Sequence, residues 1–439
     1  MRNKLILGSM LAVLSVPAFA TKARLIALGE NVQDNIGSLY FSDSRNIFQN
    51  PAYINDYKNM VIMEWGASSS RTAPAAVGGA PNTVKGDNDT NPQAEGGVTY
   101  GHGNYAYGLY LGAESPYTNE IRSYTRTLTS DSFHQDNQID AFFGGDTGVK
   151  WGVNATYSAS KDSSVGARQS SASVRLGVIA TKIEGFLNIA LKNEARINAL
   201  GAGGAAAPSI NGADKFQGKR GVEAGATYDA EVVKVFGYVR HAEWRHDADS
   251  NSTTGVPTTS YTGKFDGTYW LYQVGLGKET KLNERATLFT KAEYLNFKRE
   301  VDPVSGPATK TVNLNDWRAP ITVGLEYDAA SWLTVRGSVV QNIMSQVDNS
   351  YKGQEGAIAP TISGATGQRA SGKRSAPNST NVNAGATLKF GDLSLDGMIG
   401  TGNDGTGAIA ATGNPPPSTE KGVLSLDNLM TRVALTYKF

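Results

Sequence analysis

The 439-residue chain contains no cysteine. That absence excludes disulfides, thiolate catalysis, cysteine-ligated zinc, iron–sulfur clusters and a lipid-modified N-terminal cysteine. Histidine is nearly as scarce: His102, His134, His241 and His246 are the only four, and their spacing does not argue for a metal site. No charge of one sign dominates, because 41 Lys and Arg stand against 40 Asp and Glu. There is therefore no basic field to hold nucleic acid and no acidic tail. Past Ala20, no run approaches the roughly 18 apolar residues that a membrane helix requires.

What is present points to strands. Glycine is high, at 50 residues, and 19 Tyr outnumber 14 Phe, a balance that suits turns and strands with wet aromatic ends. The first 20 residues read as an export signal. Arg2 and Lys4 form a positive start, residues 5–16 form a short apolar stretch, and Ala18-Phe19-Ala20 is a small-x-small cleavage site. Cleavage there starts the mature chain at Thr21 and takes the formal charge from +1 to about −1. An exported chain without a helical anchor is periplasmic, secreted, or inserted as a β-barrel.

Periodicity favours the barrel. In residues 430–439, Val433, Leu435, Tyr437 and Phe439 share one face, while Arg432, Ala434, Thr436 and Lys438 share the other. Ten residues of apolar-out, polar-in alternation span one tilted membrane strand. A chain that ends in Phe after such alternation also resembles the C-terminal assembly strand of Gram-negative outer-membrane barrels. Sixteen segments carry the same pattern: 59–66, 96–102, 105–112, 138–145, 149–158, 170–179, 182–192, 219–228, 232–241, 268–278, 285–297, 321–327, 332–341, 381–390, 393–400 and 431–439. Ile183, Leu187, Ile189, Leu191, Val235, Val239, Val323, Leu325 and Val335 fall on outward positions. Arg175, Lys182, Glu184, Lys192, Glu223, Lys234, Arg240, Lys291, Glu293, Glu326 and Arg336 fall on the opposite faces and are the candidates to line a wet lumen.

Connection lengths give an independent check. Seven tight turns, near 103–104, 146–147, 180–181, 229–230, 279–283, 328–330 and 391–392, alternate with eight longer polar stretches. That alternation gives an even strand number with short turns on one side and long loops on the other, as in outer-membrane barrels. Long stretches such as 357–378 and 400–421, rich in Gly, Ala, Ser, Thr and Pro, need no core of their own. Trp151, Tyr157, Tyr228, Trp270, Tyr327, Trp332, Tyr437 and Phe439 lie near strand ends, where rings sit at headgroup level.

Residues 21–58 do not read as a strand. They combine short helical periodicity with an Asn-Pro turn, through Ala27-Leu28-Gly29, Asp43 and Asn50-Pro51-Ala52. Here the sequence resembles the N-terminal segment of the FadL/PorV-like superfamily of outer-membrane proteins. In the long-chain fatty-acid channels of that family this segment is a hatch that plugs a 14-stranded barrel. The resemblance implies a plug with Asp43, Asn50, Pro51 and Ala52 in it, and a hydrophobic cargo. The chain departs from the family in strand count, since sixteen segments are read here.

Chemical motifs are few. His241, Glu243 and His246 form the one titratable cluster, read as a polar loop base, and Asp87, Asp89 and Asn91 match part of a calcium loop without its Gly and Glu. No cofactor, metal or catalysis is expected. The chain is therefore expected to be all-β, a transmembrane antiparallel barrel of 14 to 16 strands, with a signal peptide (1–20), a plug-like segment (21–58) and the barrel (59–439). Its mixed-charge lumen favours a passive diffusion channel for small hydrophilic solutes. A hatch-gated channel for hydrophobic molecules is the alternative, followed by a closed structural or surface-recognition barrel. Expected partners are outer-membrane lipid and lipopolysaccharide, the barrel-assembly machinery and, in an oligomer, a second copy of the chain.

Overall fold

A computed structural model describes residues 21–30, 37–66, 93–113, 122, 138–163, 167–197, 210–211, 214–249, 251–252, 262–305, 311–352, 372–375, 380–401 and 432–439. The signal-peptide reading, His134 and the calcium-like residues 87–91 lie outside these.

Sixteen strands form one antiparallel sheet that closes on itself. They are β1 (Met60–Gly66), β2 (Gln93–His102), β3 (Tyr105–Leu111), β4 (Gln138–Asp146), β5 (Lys150–Asp162), β6 (Ala167–Ile179), β7 (Ile183–Ile197) and β8 (Asp214–Asp229). They continue as β9 (Lys234–Asp249), β10 (Thr262–Lys281), β11 (Ala286–Ser305), β12 (Thr311–Ala330), β13 (Leu333–Lys352), β14 (Thr380–Phe390), β15 (Leu393–Thr401) and β16 (Arg432–Lys438). Each pairs with the next in sequence, and β1 pairs with β16 from Met60 opposite Lys438 to Gly66 opposite Arg432. Short pieces extend the upper rim, with Gly372–Ser375 against β13 and Ile210–Asn211 against Asn251–Ser252.

All sixteen expected segments are strands, and the upper limit of the strand count holds. Their lengths differ from expectation on the long-connection side. Residues 321–327 were legible, yet β12 runs for 20 residues, as do β10, β11 and β13. Above the apolar band the outward face turns polar, so alternation there carries no hydrophobic signal.

Outward residues are apolar and exposed, among them Ile183, Leu191, Val323, Leu325, Val339 and Tyr437. Inward residues are buried, among them Asp140, Asn154, Arg240, Arg336, Asp396 and Thr436. A closed sheet, apolar outside and polar inside, is the form in which strands cross a bilayer, since strand pairing satisfies the backbone without water.

The described residues 21–30 and 37–57 fold without strands. Helix α1 (Lys22–Ala27) is capped by Thr21, whose hydroxyl accepts from the Arg24 amide, and it ends at Gly29 with φ of +87°. Only glycine takes that left-handed value without strain, which closes the helix and turns the chain. Two 3₁₀ turns follow. Asp43 caps Ser44–Phe48 and Asn50 caps Pro51–Asn55, with Pro51 at the first helical position where its missing N–H costs nothing.

Candidate functional site

Residues 21–30 and 37–57 are almost entirely buried, and their partners are inward-facing residues of the wall. Two wall glycines make room for the closest approach. A β-carbon at Gly152 would fall on the Pro51 carbonyl, and one at Gly177 on the Asn50 side chain. Asn50 Nδ2 donates to the Val178 carbonyl at 3.3 Å, and Asn55 Nδ2 donates to the Trp151 carbonyl at 3.0 Å. Asp43, Asn50, Pro51 and Ala52, singled out from the sequence, are thus the caps and first turn of these short helices.

Charge fixes the segment to one side of the wall. Arg24 reaches Glu326 on β12 through Nε (2.9 Å) and Nη2 (3.3 Å), and Asp43 through Nη1 (3.1 Å). Glu326 in turn meets Arg336 Nε at 3.0 Å, and Arg336 Nη1 meets Asp396 at 3.1 Å. A second set joins Arg45 to Glu95 at 2.9 Å and to Glu64 at 3.9 Å, with Lys22 on Glu95 at 2.6 Å. In a third, Lys291 lies between Glu30 (3.1 Å) and Glu293 (3.0 Å). Burial alone would lower the pKa of Arg24, but the Glu326 and Asp43 carboxylates more than offset it, so the guanidinium stays charged. Burial pushes the Asp43 carboxyl up to about 6 against the opposing pull of Arg24.

Rings line the other side. Tyr40 and Phe41 pack edge to face at 4.9 Å, and Phe41 meets Phe289 at 5.2 Å. From there one buried cluster runs along the inward faces of β8 to β11 through Phe216, Phe236, Tyr238, Trp244, Tyr269 and Leu271, with Phe297 and Val301 packed against it. These rings share strand parity with Lys234 and Arg240, so the inward face in this sector is aromatic between its charged residues. Period-2 reading of the outward valines passed over them. The available signal was a strand, 232–241, with almost no polar face.

The expected lining residues divide. Arg175, Glu223, Arg240, Lys291, Glu293, Glu326 and Arg336 face inward, are shielded and are paired, with Arg240 Nε on Glu223 at 3.1 Å. Glu184 accepts from the Tyr53 hydroxyl at 2.5 Å, with Lys234 at 3.8 Å. Two placements need correction. Lys182 lies in the β6–β7 turn, exposed and paired with Glu231. Lys192 is on the outer surface, because the register shifts between Ala172 and Ser173 and reverses the alternation beyond it. The His241, Glu243 and His246 cluster also divides. His241 stacks on Trp270 at 3.9 Å and touches Glu243 on the outward face, while His246 is buried on the inward face. Among the described residues no group of three potential metal ligands comes together.

Val433, Leu435, Tyr437 and Phe439 hold their expected face. Ala434 and Thr436 between them are buried, whereas Tyr437 and Phe439 are exposed and stack at 6.5 Å.

No family model and no curated protein matches the chain. Among solved structures, it is similar to the toluene transporter TodX of Pseudomonas putida, with a TM-score of 0.36 and 11% identity over 96% of this chain and 98% of that one. The toluene transporter TbuX of Ralstonia pickettii gives a TM-score of 0.34 and 11% identity over 97% and 100%. The monoaromatic hydrocarbon channel CymD gives a TM-score of 0.38 and 10% identity over 96% and 99%. Scores this low leave the activity to be argued from the chain's own residues.

Proposed function

We propose that the chain is an outer-membrane channel whose lumen is stopped by residues 21–57, and that its cargo is a small hydrophobic molecule. The observation that carries this reading is the inward aromatic surface of β8 to β11. An aqueous pore gains nothing from burying Phe236, Tyr238, Trp244 and Tyr269 on its lumen side, whereas an apolar solute gains about 25 cal/mol per Å² of surface removed from water. The charges that would attract hydrated ions are paired with one another and with residues 21–57, which weighs against an open pore for hydrophilic solutes. In this reading residues 1–20 direct export, Tyr437 and Phe439 are read by the assembly machinery, and residues 21–57 are the plug.

The test is removal of residues 22–57 with all strands kept, in planar bilayers and in binding assays with a fluorescent apolar probe. The intact protein is expected to conduct weakly and to bind the probe, and the deletion to conduct at least several-fold better. Trp244→Ala should weaken probe binding without opening the pore. High conductance in the intact protein together with no probe binding would restore the hydrophilic-pore reading.

A further inference from the structure

Among the described residues the ladder between β7 and β8 is interrupted. Between β7 and β8 the paired rungs run up to Ile189 opposite Val222 and resume at Glu194 opposite Gln217, leaving residues 190–193 and 218–221 without a rung. Each strand carries an irregularity there. On β7 both Leu191 and Lys192 point outward, and on β8 the register shift between Glu243 and Trp244 makes both Lys219 and Arg220 point outward. An inserted residue that re-aims its neighbours is what a bulge accomplishes. The gap opens into a small cleft, lined at its mouth by Lys192, Lys219, Arg220 and Glu243 and deeper in by Arg175 and Asn193.

Height and charge indicate what fits there. His241 and Trp270 are opposite one another on β9 and β10, and Trp270 stacks on Tyr272. These rings mark the top of the apolar band, where aromatic belts sit. Glu243, Arg220 and Lys219 come in the next rungs above, toward the long connections, which is headgroup level in the outer leaflet. Two of the cations at the mouth are only loosely held. Asp266 alone serves both Arg245 and Lys219, each at 2.8 Å, and Glu243 holds Arg220 at only 3.8 Å while the Arg220 side chain is 76% exposed. Inside the cleft, Arg175 is 3% exposed, bonds Asn154 through Nη1 at 3.1 Å with Asp140 at 3.9 Å, and has an Nε with no partner. A buried guanidinium N–H left open costs free energy unless an acceptor arrives.

We infer that the β7–β8 cleft binds a phosphate of an anionic outer-leaflet lipid, with Lys219 and Arg220 at its mouth and Arg175 within. Such a lipid also supplies acceptors where the wall between β7 and β8 lacks backbone rungs. The site rests on the outer-membrane placement and not on the cargo assigned to the lumen.

The test is native mass spectrometry of the full-length protein with lipid A, with zwitterionic phosphatidylethanolamine and with inorganic phosphate. Wild type should retain lipid A over phosphatidylethanolamine, and Lys219→Ala/Arg220→Ala should lower retention at least fivefold while the barrel keeps its heat-modifiable gel mobility. Equal retention of both lipids, or no change in the double variant, would overturn the site. Binding of phosphate without lipid A would make it a soluble-anion site and overturn the lipid assignment. Should the double variant fail to fold, Glu243→Gln decides: removing that carboxylate must raise lipid A retention about twofold, and no rise overturns the site. Unaltered apolar-probe binding in the lumen beside lost lipid retention separates failure here from failure of the channel reading.

Discussion

Around Arg24 and Arg45, residues 21–57 meet β1, β2 and β12 through guanidinium and carboxylate groups; around Tyr40 and Phe41 they meet β9 to β11 through rings. The two contacts differ in what they tolerate. An ion pair out of water demands one geometry and is costly when a partner is lost. A ring surface accepts any apolar group of suitable volume, at modest cost for an imperfect fit. The charged side therefore fixes where the segment sits, while the aromatic side is where another apolar occupant can take its place. Arg24 belongs to both, because its guanidinium also lies 5.3 Å from the Phe41 ring centre.

The comparison breaks most severely at Arg24. Arg24→Ala leaves the buried Asp43 without its main partner and Glu326 with Arg336 alone, so seating of residues 21–57 should weaken by about 3–5 kcal/mol. Protease cleavage within 37–57 on folded barrels, together with increased conductance, checks this. Unchanged protection would mean that charge does not hold the segment.

A smaller change is expected on the aromatic side. Phe289→Leu keeps an apolar group against Phe41 and should cost about 1 kcal/mol, leaving protection and conductance near wild type while shifting apolar-probe affinity. Release of the segment by this variant would erase the distinction between the two sides.

An effect of similar size concerns pH. Burial holds the Asp43 carboxyl near 6 when the segment is seated, against about 3.9 for a free aspartate. The seated form binds the proton more tightly, so this group's contribution is fully present below about pH 4 and falls as pH rises to about 6. Seating measured by protease protection should be firmer at pH 5 than at pH 7, and Asp43→Asn should flatten the difference. Looser seating at pH 5 that persists in Asp43→Asn would assign the pH response to other groups.

Much of this architecture was legible in the sequence because lipid enforces a strict period of two. The face holding Val433, Leu435 and Tyr437 could be read directly. Lys192 could not, since one extra residue in a strand reverses every face beyond it and leaves no mark in composition. The inward rings were missed for a different reason: Phe236 and Tyr238 alternate with Val235 and Val239, so both faces are apolar and periodicity has no contrast to report. The buried partners Glu64, Glu95 and Asp396 sit singly in their strands, and their purpose emerges only when β1, β2 and β15 are brought round to Arg45 and Arg336.

The unequal strand lengths bear on the bilayer itself. At about 3.3 Å per residue and a tilt of about 40°, the 20-residue strands β10 to β13 rise about 50 Å, twice the height of a roughly 25 Å apolar band. On that face about half of the wall therefore stands beyond the apolar band. Headgroups and water, rather than acyl chains, border that upper half, which holds the long connections it carries about 25 Å clear of the hydrocarbon.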